Sequence, residues 1–337
     1  MNLNYLRNKS ILITGGTGSF GENFIEFLLK KSKNINKIVI YSRDELKQYL
    51  LAQKFRNKKN KNLRFFIGDI RDKQRLIYAL EGIDYVIHAA ALKQVPTAEY
   101  NPLEAIKTNV LGSQNLIEAC LQSNVKKVIA LSSDKAVAPI NLYGATKLCA
   151  DKLFIASNNY KGKKNISFSV IRYGNVMGSR GSVLPVFLSQ KKSGTVTLTH
   201  KDMTRFNILM EDCIQMVVWV LKNSSGGEIF IPKIPSFRIR DLAKVVTPTC
   251  KVKYIGIRPG EKIHEEMITA NESNHIFDIG KYYAILPNNY STQRKNKKYS
   301  KLTKFKQIKH GFSYSSLNNS DFLSLTDLRS AVKKYMK

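Results

Sequence analysis

A glycine-rich segment close to the N-terminus restricts the possible folds of this chain more than any other feature. The segment Thr14-Gly-Gly-Thr-Gly-Ser-Phe-Gly21 follows a short apolar run and precedes a helical pattern at 20–31. Glycine at Gly15, Gly18 and Gly21 permits a tight turn, a close approach of the backbone to a pyrophosphate, and close packing of a helix on a strand. A helix N-terminus at this point directs its positive dipole end towards phosphates. The pattern predicts a dinucleotide-binding unit, with an ordinary strand–helix turn as the alternative.

The first half of the chain alternates between short apolar runs and helical patterns. This rhythm is typical of a parallel sheet that helices cover on both faces. The predicted strands are 11–14, 37–42, 63–67, 85–89, 127–132 and 167–173, and the longest helical patterns are 102–122 and 143–158. We expect an α/β fold, a Rossmann-like doubly wound parallel sheet with a smaller C-terminal substrate-binding lobe. The expected divisions are an NADP-binding domain at 1–178 with 211–222 packing back on it, a mainly substrate-binding lobe at 179–285, and a basic C-terminal segment at 286–337.

The charge of the chain is strongly unbalanced. It has 337 residues, of which 55 are Lys or Arg and 25 are Asp or Glu, so the formal net charge is +30. Such an excess occurs in proteins that bind nucleic acid or anionic substrates, and also on lysine-rich surfaces without a specific partner. The segments 281–337, with 13 basic and 2 acidic residues, and 43–64, with 8 and 2, hold more than half of the excess. Because they lie largely outside the candidate site, we expect a solvated basic surface and no nucleic-acid partner.

The cysteines and histidines show no ligand pattern. Cys120, Cys149, Cys213 and Cys250 lie far apart, and the five histidines have no helical metal spacing. This argues against a zinc site or a disulfide framework and favours a reducing compartment. No apolar run approaches the roughly 18–20 residues of a spanning helix, and residues 1–10 are too polar for a secretory signal. We therefore expect a cytoplasmic protein with no metal and no membrane insertion.

The end of the second predicted strand distinguishes the two nicotinamide dinucleotides. An NAD site usually has an Asp or Glu there for the ribose hydroxyls, whereas an Arg accommodates a 2′-phosphate. Ser42 and Arg43 favour NADP, and the nearby Asp44 keeps NAD as the alternative. The predicted cofactor contacts come from the glycine segment, the ends of the first four strands and a later Tyr/Lys pair: Gly15, Thr17, Gly18, Ser19, Phe20, Gly21, Ser42, Arg43, Lys47, Asp69, Ile70, Ala89, Ala90, Lys93, Tyr143 and Lys147.

That pair, Tyr143 and Lys147, has a spacing of four residues in a predicted helix. The spacing places both side chains on one helix face, and a neighbouring ammonium lowers the pKa of a phenol so that a tyrosinate is available as a base. With the glycine segment, the pair resembles the extended short-chain dehydrogenase/reductase superfamily. There the end of the fifth strand supplies a Ser or Thr to the reacting oxygen, and Ser133 stands at this position. The adjacent Asp134 and Lys135 add an acid and a base that a reductase or epimerase does not need.

Six longer motifs make the resemblance more specific. They are SRDELK at 42–47, HAAALK at 88–93, SDKA at 133–136, NLYGATKL at 141–148, RYGNV at 172–176 and GIRPGEK at 256–262. These motifs are similar to those of the configuration-inverting UDP-N-acetylglucosamine 4,6-dehydratases, the enzymes that open the pseudaminic acid pathway. The resemblance covers about residues 10–285 and is weak in the tail.

The resemblance implies a dehydration that starts with transient oxidation at C4 of the sugar. Tyr143, helped by Lys147, takes the proton of the 4-hydroxyl while hydride leaves C4 for NADP⁺. Lys135 then removes the C5 proton and Asp134 protonates the departing 6-hydroxyl. Hydride returns to C6, and C5 is reprotonated on the opposite face by Lys135 or Tyr143. Retaining dTDP-glucose enzymes carry Asp-Glu in place of Asp134-Lys135, and membrane-anchored retaining relatives carry Met in place of Tyr143, so both positions favour the inverting class.

The two phosphates of a UDP-sugar call for arginine forks, lysines and amide groups. The predicted substrate contacts are Lys93, Asn175, Arg205, Arg258 and Glu261. A solvated surface position is the alternative for each. For the whole protein the alternatives are a UDP-hexose or UDP-N-acetylhexosamine 4-epimerase, a retaining 4,6-dehydratase, and a nucleic-acid-binding protein that has kept the fold. Because extended superfamily members usually associate through two helices, we also expect a homo-oligomer.

Overall fold

The computed structural model describes residues 3–32, 34–56, 61–287, 299 and 305–336. The chain divides into two compact units, and it passes between them several times. The first unit comprises Met1–Ser132, Thr146–Ile171 and Ile214–Ile229, and the second comprises Ser133–Ala145, Arg172–Cys213 and Phe230–Lys337. The division has no single boundary at residue 178, and the expected roles of the lobes stay predictions.

The first unit contains a run of six parallel strands. They are β1 (Ser10–Thr14), β2 (Lys37–Ser42), β3 (Leu63–Ile67), β4 (Tyr85–His88), β5 (Lys127–Leu131) and β6 (Ser167–Ile171). Their order is β6-β5-β4-β1-β2-β3, and every pairing is parallel. The order reverses between β1 and β4, which is the position where ligands bind at the carboxyl ends of open α/β sheets. The predicted doubly wound α/β fold is confirmed.

Most helices of the first unit connect these strands, and one follows later in the chain. They are α1 (Ser19–Lys31), α2 (Glu45–Arg56), α3 (Lys73–Ala79), α4 (Val95–Tyr100), α5 (Pro102–Ile106), α6 (Gly112–Gln122), α7 (Leu142–Tyr160) and, after α8 of the second unit, α9 (Met210–Asn223). These helices bury apolar residues on one face. In α1 the buried residues include Phe24, Ile25 and Leu28. The core of this unit combines strand residues such as Leu12 and Val128 with helix residues of α3, α6 and α7.

The second unit is built from smaller sheets and short helices. Its strands are β7 (Asn175–Val176), β8 (Thr195–Leu198), β9 (Thr204–Ile208), β10 (Ile229–Pro232), β11 (Ser236–Arg238), β12 (Lys251–Tyr254), β13 (Glu266–Ile268), β14 (Ile276–Asp278), β15 (Tyr282–Ile285), β16 (Lys306–Gln307) and β17 (Tyr314–Ser315). Strands β11, β9 and β7 form one sheet, β12 pairs with β8, and β13 pairs with β17.

The helices of the second unit enclose its core. They are α8 (Val183–Gln190), α10 (Ile239–Val246) and α11 (Leu325–Met336). Phe187, Leu242 and Leu328, one from each helix, are buried in the same cluster. The amphipathic end of the chain thus packs into this core, while 288–298, 300–304 and 337 of the expected C-terminal segment lie outside the described residues. Across the described ranges, no helix has both the length and the apolar character needed to cross a membrane.

Candidate active site

The glycine segment forms a close-packed turn in the first unit. Gly15 has φ of +66°, and a β-carbon on it would lie 2.9 Å from the backbone N and Cα of Ala90. A β-carbon on Gly21 would lie 2.4 Å from the carbonyl oxygen of Gly16. The Thr14 hydroxyl accepts hydrogen bonds from the amides of Ala89 and Ala90, at 3.2 and 3.3 Å. Glycine is therefore required for the close backbone packing of this turn, which is the packing that a pyrophosphate-binding turn of a dinucleotide site needs.

The other predicted cofactor residues of the first unit follow the carboxyl ends of the same strands. Thr17 is buried, and Ser19 and Phe20 begin α1. Ile70, after β3, is buried against Gly112, and Lys93, after β4, is exposed. Because parallel strands end at one edge of a sheet, the structure brings this set together in the first unit.

The end of β2 carries an exposed cation. The side chain of Arg43 is 49% exposed, and its Nη1 lies 3.7 Å from Oδ2 of Asp69. Arg71 donates to the same oxygen from Nε and Nη2, at 2.9 and 2.7 Å. Partial burial raises the pKa of Asp69, but the hydrogen bonds from Arg71 outweigh burial and leave the pKa below its ordinary value. Asp69 is therefore bound more closely by Arg71 than by Arg43.

Asp44 has a local structural role beside Arg43. Its Oδ1 accepts a hydrogen bond from the backbone N–H of Lys47 at 2.9 Å, in the manner of a helix N-cap. Its Oδ2 lies 2.6 Å from Nζ of Lys47. Since these interactions engage the carboxylate, Asp44 is less available to ribose hydroxyls than its sequence position indicates.

The second unit contains the turn that follows β5. Ser133 precedes a single 3₁₀ turn, Asp134–Ala136, and its hydroxyl accepts a hydrogen bond from the backbone N–H of Lys135 at 3.2 Å. The same hydroxyl donates to Oδ1 of Asp134 at 2.9 Å. The backbone N–H of Asp134 donates to the carbonyl of Tyr173 at 3.1 Å, which fixes the turn. Three consecutive residues thus present a hydroxyl, a carboxyl and an ammonium group together.

A second carboxylate joins this turn. Nζ of Lys135 lies 3.0 Å from Oδ1 of Asp134 and 3.1 Å from Oε1 of Glu265. Asp134 and Glu265 are 1% and 2% exposed, and Oδ2 of Asp134 and Oε2 of Glu265 have no hydrogen-bond partner within the described part of the chain. Two buried carboxylates therefore share one ammonium.

Burial and charge act in opposite directions in this cluster. Burial raises the pKa of Asp134 against the pull of the Lys135 ammonium, and the charge of Glu265 adds to the rise. Burial also raises the pKa of Glu265, but Lys135 and Arg205 outweigh it and leave that pKa below its ordinary value. For Lys135, burial lowers the pKa, and the two carboxylates overcome this and raise it. The Asp134 carboxyl is therefore a weaker acid than usual, and Glu265 ionises more readily than Asp134.

Arg205 is engaged by the loop that precedes Glu265. Its Nη1 donates to the carbonyls of Thr204 and Ile263 at 2.7 and 3.0 Å, and its Nη2 donates to the carbonyl of Lys262 at 2.9 Å. Its remaining nitrogen, Nε, lies 3.8 Å from Glu265. The guanidinium therefore holds the loop in place, and a contact of Arg205 with substrate stays a prediction.

The start of α7 packs directly on the Lys135 turn. Tyr143 is 9% exposed. A β-carbon on Gly144 would lie 2.1 Å from the carbonyl oxygen of Lys135. Asn141 accepts a hydrogen bond from the Gly144 amide and donates one to the carbonyl of Gly260, both at 2.7 Å. Glycine at this position thus sets how closely the tyrosine turn approaches the lysine turn.

Lys147, on the part of α7 that belongs to the first unit, is buried. Its Nζ donates to the carbonyl of Leu131 at 2.8 Å, at the end of β5. Burial lowers the pKa of Lys147, and the charge of Asp151 opposes this only partly. A hydrogen bond of 2.7 Å from Ser132 to Asp151 fixes that carboxylate. The hydrogen bond to Leu131 therefore fixes the position of Lys147, and burial disfavours its charged form.

The remaining predicted substrate residues lie in the second unit on two segments. Asn175 is in β7, opposite Asn207 of β9, and its Oδ1 is buried without a hydrogen-bond partner among the described residues. Arg258 is exposed, and its backbone N–H donates to Oε2 of Glu261 at 3.3 Å. Substrate contact by these residues stays a prediction.

The sequence did not identify Glu265. It lies 130 positions from Lys135, and no periodicity or spacing rule connects the two. The run His-Glu-Glu at 264–266 shows two adjacent acids, but nothing in it indicates which one is buried. Tertiary structure was needed to bring Glu265 to the lysine.

A model of the family described as polysaccharide biosynthesis protein matches residues 11–287. The chain belongs to this family. Within the polysaccharide biosynthesis protein family, it is 52% identical over 325 residues to the UDP-N-acetylglucosamine 4,6-dehydratase (inverting) of Campylobacter jejuni subsp. jejuni serotype O:23/36 (strain 81-176), covering 95% of this chain and 96% of that protein. The resemblance stated from the motifs is confirmed.

Two further matches bear on fold and function. The chain is 43% identical over 285 residues to a UDP-glucose 4-epimerase of Rickettsia bellii (strain RML369-C), covering 82% of this chain and 83% of that protein. The X-ray structure of Pen from Bacillus thuringiensis superposes with a TM-score of 0.88 at 36% identity, covering 98% of this chain and 99% of that chain. The described fold is thus shared over nearly its full length.

Proposed function

We propose that this protein dehydrates UDP-N-acetylglucosamine across C4 to C6 with inversion at C5, giving a UDP-2-acetamido-2,6-dideoxy-β-L-arabino-hexos-4-ulose. The observation that carries the proposal is the buried contact of Lys135 with Asp134, directly after the hydroxyl of Ser133. Elimination of water needs a base for C5 and an acid for the 6-hydroxyl, and this pair supplies both types of group. The inverting dehydratase at 52% identity supports the same reaction.

Each catalytic side chain has a distinct part in this proposal. NADP, when bound, supplies the oxidation at C4 and the later reduction at C6. Ser133 donates a hydrogen bond to the sugar 4-oxygen, and Tyr143 takes the proton from it. Lys147 lies one helical turn after Tyr143 and is held by the carbonyl of Leu131. Lys135 takes the C5 proton, and Asp134 protonates the departing 6-hydroxyl.

One proton transfer within the cluster prepares both the acid and the base. As an ammonium, Lys135 cannot accept the C5 proton. Movement of one proton from Nζ of Lys135 to Oδ1 of Asp134, across 3.0 Å, breaks an N–H bond and forms an O–H bond. The products are a neutral amine and a carboxylic acid. Burial raises the pKa of Asp134 and so favours the acid form that this step produces, whereas the charge of Glu265 raises the pKa of Lys135 and opposes the step.

The cofactor and substrate contacts follow the same proposal. Arg43 binds the 2′-phosphate of NADP, since it is exposed at the end of β2 while Asp44 is occupied by Lys47. Gly15, Gly18, Gly21 and the neighbouring loop residues bind the pyrophosphate. For the substrate, Lys93, Asn175 and Arg258 bind phosphate or sugar, and Glu261 binds a ribose hydroxyl. The positive charges of Arg43, Lys93 and Arg258 suit the two diphosphates of cofactor and substrate.

The proposed setting of the enzyme follows from its reaction. We place it at the first step of a pseudaminic acid type of nucleotide-sugar synthesis, in the cytoplasm and as a homo-oligomer. Its product, a 4-keto-6-deoxy sugar nucleotide, requires a following enzyme that acts on a carbonyl group, such as an aminotransferase. The matched polysaccharide biosynthesis family supports a role in glycan assembly.

A 4-epimerase is the second candidate, because a relative with that name is 43% identical over 285 residues. An epimerase uses Ser133, Tyr143 and Lys147 but has no use for a buried acid–base cluster at Lys135. Proton NMR of the product from UDP-N-acetylglucosamine distinguishes the two. A new C6 methyl signal with loss of the 6-hydroxymethyl signal is expected. A product that keeps its 6-hydroxyl and is altered only at C4 would refute the dehydratase proposal.

A further inference from the structure

Glu265 is a buried acid that the dehydratase mechanism above does not use. Its Oε1 lies 3.1 Å from Nζ of Lys135, and the residue is only 2% exposed. The backbone N–H of Glu265 donates to the hydroxyl of Ser316 at 2.9 Å, and the backbone N–H of Ser316 returns a hydrogen bond of 2.7 Å to the Glu265 carbonyl. The main chain on this side of Lys135 is therefore fixed, and the carboxylate is held against the ammonium.

Glu265 differs from Glu228, another buried glutamate, in the hydrogen bonds that its carboxylate oxygens accept. Glu228 is fully buried, and its two oxygens accept hydrogen bonds from the amides of Ser225 and Gly226 and from the hydroxyl of Ser169, all within 2.8 Å. Glu265 directs Oε1 to Lys135 and leaves Oε2 without a hydrogen-bond partner within the described residues. Buried polar atoms left in this way are uncommon and are found at functional sites.

We propose that Glu265 is a positioning residue that holds Lys135 by its ammonium and sets how readily this lysine releases a proton. The inference rests on the proposed function, because it concerns the base for C5. The charged groups that face the pair are Asp134 at 3.0 Å from Nζ of Lys135, Arg205 at 3.8 Å from Oε1 of Glu265, and the nearby Lys262. The anion of Glu265 favours the ammonium form of Lys135, and Arg205 weakens that effect.

The consequence is a directional pH effect. Loss of a negative charge in contact with a partly buried ammonium, such as that of Lys135, shifts its titration to lower pH by about one to three units. In Glu265→Gln, the amide keeps the size and a hydrogen-bonding oxygen but removes the charge. The neutral amine of Lys135 therefore forms at lower pH than in the wild type, whatever the maximal rate becomes.

The experiment measures exchange of the C5 proton with heavy water as a function of pH, during turnover of UDP-N-acetylglucosamine. For Glu265→Gln, the rising limb of the profile is expected to move to lower pH by about one unit or more. Glu266→Gln is the matched control, since Glu266 is the next residue and its side chain is partly exposed. This control is expected to keep the wild-type profile.

Several outcomes would overturn the inference. A Glu265→Gln profile with a lower rate but an unmoved limb would assign Glu265 a purely structural role. If this variant does not fold, Glu265→Asp serves instead. The shorter side chain keeps the negative charge but places it farther from Nζ of Lys135, so a smaller shift in the same direction is expected. Wild-type product NMR separates the two proposals. Dehydration with an unmoved limb refutes this inference alone, whereas absence of dehydration refutes the proposed function and this inference with it.

Discussion

The substitution Gly144→Ala tests how the catalytic turn and the start of α7 are packed. A β-carbon at Gly144 would lie 2.1 Å from the carbonyl oxygen of Lys135 and 3.0 Å from Cβ of Pro139. Real β-carbons essentially never approach within 3.0 Å, so the two backbones must separate by about 0.9 Å or more. The atom that blocks the methyl group is backbone, and it cannot rotate away as a side chain would.

Two opposing magnitudes decide the effect on stability. In an open helix, replacing glycine by alanine stabilises by roughly 0.5–1 kcal/mol. Overpacking of a close contact costs about 1–3 kcal/mol. Because the clash here is with fixed backbone, we expect the second effect to dominate and the free energy of unfolding to fall by about 1–2 kcal/mol.

The effect on turnover is expected to be larger than the effect on stability. A displacement of about 1 Å between reacting groups costs roughly 100-fold in rate. Tyr143 precedes Gly144 directly, so the shift that relieves the clash moves the tyrosine turn away from the Lys135 turn. We expect kcat for dehydration to fall by about 100-fold with a smaller change in KM. Urea denaturation and product formation, measured on the same preparation, report both quantities.

Gly162→Ala is the control for general destabilisation. Gly162 has φ of +61°, and among the described residues no atom outside its chain neighbours lies within 4 Å of a β-carbon built there. The left-handed backbone alone makes alanine unfavourable by roughly 1–2 kcal/mol. This variant is therefore expected to lose similar stability while keeping its kcat. A Gly144→Ala protein with raised stability and wild-type turnover would refute the packing argument.

Three further predictions follow from the described contacts. Lys135→Ala abolishes C5 deuterium incorporation from heavy water, measured by NMR against the exposed control Lys192→Ala, and undiminished exchange would remove Lys135 from its role. Arg43→Ala raises the Kd for NADP⁺ by about tenfold to 100-fold with little change for NAD⁺, since a charge-assisted hydrogen bond contributes about 1.5–3 kcal/mol, and calorimetry showing equal changes would contradict it. Burial, aided by the charge of Lys147, lowers the pKa of His88 to about 3, below its ordinary value of 6.5. Its contribution to stability is thus complete above about pH 6.5 and is lost at about 1.4 kcal/mol per pH unit as pH falls towards about 3. Urea titrations of His88→Gln are expected to show a shallower loss between these limits, and an unchanged slope would refute the assignment.

Much of the fold could be predicted because its sequence signals are local. Buried parallel strands are continuous apolar runs, so the six strands of the first unit were found within a few residues of their ends. The pattern at 102–122 was less informative, because a π-helical turn at Lys107–Leu111 interrupts it. In that turn the Asn109 amide exchanges hydrogen bonds of 2.8 Å with the backbone of Leu92, a tertiary contact that periodicity does not report.

The residues of the candidate site also fall into two groups, those that a local motif predicts and those that only the tertiary structure brings together. Gly15 could be predicted because the requirement for a positive φ and a close backbone approach lies within one loop motif. The partnership of Lys135 and Glu265 could not, because only the folding of the second unit brings them within 3.1 Å. Arg205 is a predicted substrate contact because phosphates call for arginine, yet its hydrogen bonds go to its own segment and to the loop before Glu265.

The central claim is that C4 is oxidised and C6 reduced in one turnover, with inversion at C5. UDP-N-acetylglucosamine labelled with deuterium at C4 tests it directly when the product is examined by proton and deuterium NMR. The proposed mechanism predicts that the label appears in a new C6 methyl group and that the C5 configuration is inverted. Label that remains at C4, on a sugar that keeps its 6-hydroxyl, would contradict it.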